Sequence, residues 1–119
     1  MANQIVWCDI PVKDLDRAIK FYSAALGQAV SKETAGGMTF GLLPEAHSGV
    51  SGCLVVGDAK PSTDGPMVYL NCKSRLDAAI ATVEKHGGKI LQPKHQIGPH
   101  GFRAVVLDSE GNRIALHSI

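Results

Sequence analysis

The sequence predicts an α+β fold made of two βαβββ modules in one chain. Three observations carry this. The run LDRAI at residues 15–19 returns as LDAAI at residues 76–80, an offset of 61 residues. Each copy is amphipathic at helical spacing, with a strand-like run before it and three after it. Between the copies lies GDAKPSTDGP, residues 57–66, a linker by composition. Module one therefore spans about residues 1–56 and module two about residues 67–119, within a single domain of 119 residues.

Taken in order, IVWCDI alternates as a half-buried strand does. Val6, Cys8 and Ile10 share the apolar side, leaving Ile5, Trp7 and Asp9 on the other. In DLDRAIKFYSAALG the buried stripe is Leu15, Ala18, Ile19, Tyr22, Ala25 and Leu26. Asp14 is placed to cap this helix, and Gly27 to end it in a left-handed turn. Three strands follow: QAVSKETA, then MTFGLLP beyond the Gly36-Gly37 turn, then VSGCLVV.

The second module opens with MVYLNC, whose helix side is Val68, Leu70 and Cys72 and whose other side is Met67, Tyr69 and Asn71. In SRLDAAIATVEKHGG the stripe is Leu76, Ala79, Ile80 and Val83. Ser74 and Asp77 fit a capping box, and Gly87 or Gly88 closes the helix. GKILQ, GFRAVVL and RIALHS complete the module, the last two joined by the turn Asp-Ser-Glu-Gly-Asn.

Composition excludes several classes of partner. Lys and Arg number 12 against 11 Asp and Glu, with no basic stripe or acidic tail, so neither nucleic acid nor a membrane surface is an expected partner. No stretch of eighteen apolar residues is present, and MANQIVWCDI lacks the pattern of a secretory leader. Cys8, Cys53 and Cys72 form an odd set without CxxC spacing, expected as free thiols in a cytoplasmic protein.

The closing strand, RIALHSI, raises the functional question. Its apolar side is Ile114 and Leu116, while Arg113, Ala115 and His117 share the opposite side. Three strands thus carry a second face of Trp7 and Asp9, of Met67, Tyr69 and Asn71, and of Arg113, Ala115 and His117. A water-facing strand also carries Asp, Asn, Arg and His. Trp7, Met67 and Tyr69 in the same phase favour a small-molecule cavity, apolar with a few placed polar groups. A sealed dry core is disfavoured, because an unpaired buried charge there costs roughly several kcal/mol. Asp9, Arg113 and His117 are therefore either solvated in a cavity or paired with one another.

Other chemistry-bearing residues are weaker candidates. His95 and His100 lie in the Gly/Pro-rich PKHQIGPHG, expected as a surface loop, with His100 reaching a ligand if the loop covers the cavity mouth. His47 and His86 read as surface residues. Cys8 and Cys72 fall on the helix-packing phase as small hydrophobes, which leaves Cys53 as the thiol worth testing.

DIPVKDLDRAIKFYSAALG and GFRAVVLDSEGNRIALHS together resemble the vicinal oxygen chelate superfamily, which includes glyoxalase I, bleomycin-resistance proteins and extradiol dioxygenases. The resemblance covers essentially the whole chain and is nearest to small bacterial glyoxalase/bleomycin-resistance-like proteins. It implies curled mixed sheets around a central cavity, and a homodimer. In metal-dependent members four cavity strands supply His, Glu or Gln ligands. Those positions fall here on Trp7, Cys53, Met67 (or Val68 one register along) and Ala115. Indole, thioether and methyl groups do not hold a divalent ion; only the Cys53 thiol could. The gap at Ala115 is thus the missing acid of the family's metal site, and no cofactor is expected.

A displaced site remains the alternative, with Asp9, His117 and Cys53 as ligands to a divalent metal. Ligands moved two residues along different strands, ~6.6 Å each, need not converge. The first functional expectation is a metal-free small-molecule-binding protein holding a ligand over Trp7 and Tyr69, oriented by Asp9, Asn71, Arg113 and His117. The second is a lyase, isomerase or dioxygenase, using the displaced metal or acid–base catalysis by Asp9 and His117. A third is a partner-binding module.

Overall fold

In the computed structural model, which describes residues 3–119, each copy of the repeat builds its own four-stranded sheet with one helix on it. The first module contains β1 (Trp7–Pro11), α1 (Leu15–Leu26), β2 (Ser31–Ala35), β3 (Met38–Leu42) and β4 (Ser51–Val55). The second contains β5 (Val68–Asn71), α2 (Leu76–Val83), β6 (Lys89–Gln96), β7 (Phe102–Leu107) and β8 (Arg113–Ser118). The strand orders are β1-β4-β3-β2 and β5-β8-β7-β6, so the sequence repeat is a topological repeat. In each sheet the first strand runs parallel to the last and the other pairs are antiparallel.

Helix α1 forms as its sequence predicts. The Asp14 carboxylate accepts the Arg17 N–H, and Gly27, at φ 70°, ends the helix by donating its N–H to the Ser23 carbonyl. Phe21 joins the predicted stripe at 1% exposure, because α1 packs on α2 as well as on its own sheet. Helix α2 differs from expectation. Its N-cap is Arg75, without a side-chain bond, and Ser74 stands outside the helix at φ 68°. The capping box is absent because the left-handed backbone at Ser74 takes its side chain out of cap geometry. A 3-10 turn, Glu84–His86, continues α2 to Gly87 at φ 89°.

The apolar faces of both sheets and both helices merge into one core, with Ile10, Tyr22 and Leu54 in the same cluster as Leu70, Val83 and Leu116. Gly52 is required where β1 and β4 pair, since a Cβ there would collide with the Cys8 carbonyl. The Asp-Ser-Glu-Gly-Asn turn lies inward instead of on the surface, with Asp108, Glu110 and Asn112 all buried. Tyr22 donates to Asp108 at 2.6 Å, and Asn112 Nδ2 donates to the Pro11 carbonyl at 2.7 Å. Glu110 accepts the N–H groups of Lys13 and Asp14, both at 2.8 Å, and the Arg17 guanidinium at 2.7 Å. Module two thereby clamps the start of α1.

The two sheets do not close around a common interior. Among the described residues no ladder joins them, and β1 and β5 are edge strands. The central cavity is accordingly a cleft between those edges.

Candidate functional site

The cleft has a volume of about 710 Å³. One wall is Ile5, Trp7, Cys8 and Ile10 on and before β1; the other is residues 66–71, which include Met67, Tyr69 and Asn71. Leu26, Leu43, Pro44 and Val50 extend its apolar surface, and Gln28, Glu45 and Ser51 add polar groups. Trp7 and Tyr69 remain 41% and 46% exposed, unusual for rings of this size unless something covers them.

The open face of the first sheet carries Asp9 beside Cys53, which are register partners on β1 and β4. One Asp9 oxygen accepts both the Trp7 indole N–H at 3.1 Å and the Cys53 thiol at 3.3 Å. Burial pushes the Cys53 thiol up from its usual range, and its bond to Asp9 adds to the rise. Cys53 is therefore held as a thiol at neutral pH, which makes it neither a ready nucleophile nor a ready metal ligand.

The open face of the second sheet aligns one side chain from each of its four strands. Asn71 pairs with His117, His117 with Arg103, and Arg103 with His95, a single row across the sheet. Arg103 donates through Nη1 to the Tyr69 hydroxyl and through Nε to His95 Nε2 at 3.0 Å, with its guanidinium 5.9 Å from the Tyr69 ring centre. His117 lies edge-on to Tyr69 at 6.1 Å, and its Nε2 contacts the His100 carbonyl at 2.7 Å. A carbonyl only accepts, so Nε2 carries the hydrogen and Nδ1 of neutral His117 keeps a lone pair.

The predicted residues thus divide into three groups. Trp7, Met67, Tyr69 and Asn71 meet at the cleft. Asp9 and Cys53 meet on the first sheet. Arg113 and His117 stand on the second, so of the two alternatives for Asp9, Arg113 and His117, pairing with one another does not occur. Arg113 instead donates to the Gly65 carbonyl at 3.4 Å, and its buried Nε has no partner. His100 ends a 3-10 turn before β7 and reaches the site only through its backbone carbonyl.

One residue, Arg103, was missed and another was misplaced. His95, expected in a surface loop, lies within β6, because the strand continues through Pro93 by means of register shifts that break its alternation. Arg103 was legible, since it stands in GFRAVVL opposite the apolar phase of Ala104 and Val106.

Trp7, Cys53, Met67 and Ala115, the positions that the resemblance implies for metal ligands, do not fit a divalent ion as a set, since only the Cys53 thiol is a ligand by type. Among the described residues no group of three or more His, Cys, Asp and Glu is placed to hold one. Ala115 is fully buried in the row of Tyr69 and Val105.

The sequence profile of the glyoxalase/bleomycin resistance protein/dioxygenase superfamily matches residues 4–116. The chain belongs to that superfamily. No curated protein matches it. Solved structures of superfamily proteins share its fold. A glyoxalase/bleomycin resistance protein from Albidiferax ferrireducens is 19% identical at a TM-score of 0.75, covering 98% of this chain and 99% of that one. A glyoxalase-related enzyme from Fulvimarina pelagi is 16% identical at 0.69, covering 99% and 89%. The fosfomycin resistance protein FosX from Listeria monocytogenes is also 16% identical, at 0.70, covering 100% and 95%. At these identities the likeness to the solved structures is one of fold, and fold alone does not select a reaction.

Proposed function

We propose that this superfamily member binds a small organic molecule in the cleft between β1 and β5, without a metal ion. The observation that carries the reading is the pair Trp7 and Tyr69, two exposed rings on opposite walls of one apolar cleft of ligand size. The side chains at the family's ligand positions support the metal-free part. Exposed Ile5 and Val50, which line the cleft, support a homodimer as the working form. The free cysteines agree with a cytoplasmic location.

Trp7 is the only tryptophan, so its emission reports on the cleft directly. Titration with a panel of neutral aromatic molecules is expected to give a saturable change. Tyr69→Ala should weaken that binding by up to about tenfold, the value of one aromatic contact. A broad panel that leaves the emission unchanged would remove the proposal.

A second reading, metal-free acid–base catalysis, is favoured by the tautomer of His117. Its Nε2–H is fixed on the His100 carbonyl, which leaves Nδ1 as a base beside Tyr69. Once a turnover assay exists, His117→Ala should abolish a pH-dependent rate; full activity in that variant would discard this reading.

A further inference from the structure

We propose that the open face of the second sheet is an oxyanion-binding site centred on the Arg103 guanidinium. Strands β5, β6, β7 and β8 contain no Asp or Glu, yet they carry Lys89, Arg103 and Arg113, besides Lys94, which pairs with Asp77 of α2. The first sheet is different, with Asp9 and Glu33 in its strands. The ion pairs among the described residues are Arg17–Glu110, Lys32–Asp16 and Lys94–Asp77, so Arg103 has no carboxylate partner.

Neutral groups hold Arg103 in place instead. His95 Nδ1 contacts the Pro93 carbonyl at 2.8 Å and therefore donates there, which turns the Nε2 lone pair toward Arg103 Nε. Tyr69 accepts from Nη1, and its ring centre lies 5.9 Å from the guanidinium carbon. These contacts use two of the five guanidinium N–H groups. The other three have no partner among the described residues, and the Tyr69 hydroxyl keeps its own hydrogen to donate. A positioned, uncompensated fork with a phenol beside it matches a carboxylate or a phosphoryl or phosphonyl group. Lysine would supply the charge without the fork. Ordinary surface arginines lack this fixation: they pair with carboxylates or stay free in water.

The site adjoins the cleft through Tyr69 but does not depend on a ligand occupying it. Inorganic phosphate and acetate are the probes, titrated separately into the full chain at constant ionic strength and followed by two-dimensional 1H–15N NMR. The expected result is saturable shifts at the Arg103 Nε–H and the neighbouring amides of β7 and β8. Arg103→Gln should weaken binding at least about tenfold, as loss of a charged hydrogen-bonding group does, and Arg103→Lys should fall between. Tighter binding of phosphate assigns the site to phosphoryl or phosphonyl ligands, and tighter acetate to carboxylates. No saturable shift with either anion, or equal shifts in Arg103→Gln, would overturn the proposal. The Trp7 titration with neutral aromatics is read separately, so failure of one site leaves the other standing or falling on its own data.

Discussion

Glu110 brings a negative charge to a position where its side chain has no exposure at all. Burial alone would raise its pKa. The Arg17 guanidinium, the N–H groups of Asp14 and Lys13, and the Ser109 hydroxyl outweigh that and bring it down from 4.5 to about 2. The folded value lies below the unfolded one, so this carboxylate contributes full stability above about pH 4.5 and loses it as pH falls through about 2. Glu110→Gln should therefore destabilise the chain by about 2 kcal/mol at neutral pH. Chemical denaturation at pH 7 and pH 3 checks this: the gap between wild type and variant should narrow at the lower pH, and a constant gap would contradict it. Nothing local in Asp-Ser-Glu-Gly-Asn announced this role. A polar turn reads as surface, and the partner Arg17 lies 93 residues away. The same limit applies to Asp108. Its bond to Tyr22 explains why that phenol is buried, and burial together with the adjacent carboxylate raises the Tyr22 pKa well above its usual value.

Secondary-structure elements were legible where short-range chemistry decides them. Asp14, the stripe of α1 and the left-handed Gly27 follow from hydrogen-bond geometry within a few residues. In α2 the same logic failed at Ser74, whose φ of 68° is set by the path from β5 into the helix. Two substitutions separate these cases. Asp14→Ala should cost about 1 kcal/mol through loss of the cap, whereas Ser74→Gly should stabilise by about 0.5–1 kcal/mol through relief of the left-handed backbone. Thermal denaturation of both variants checks the pair, and a destabilised Ser74→Gly would show that the serine does more than tolerate its geometry. Strand β6 illustrates a third case. Its register shifts remove the period of two that sequence reading relies on, so His95 could not be assigned a face.

At the scale of the whole molecule, the repeat and the fold class were legible because both modules repeat one hydrophobic pattern at a fixed offset. The relation between the modules was not. It depends on helix packing and on the clamp from Glu110, Asp108 and Asn112, contacts between residues far apart in the chain. That relation decides that Trp7 and Tyr69 share a cleft while Asp9 and His117 stand on different sheets. It also separates a sheet containing acidic residues from one containing none. The most direct measurement is Trp7 emission during titration with aromatic ligands, on protein stripped by a chelator and on protein reloaded with nickel, zinc, manganese or iron(II). Saturable binding of equal affinity in the stripped and reloaded protein is the predicted result. Binding that appears only after a divalent ion is restored, with one ion retained per chain, would contradict a metal-free cleft.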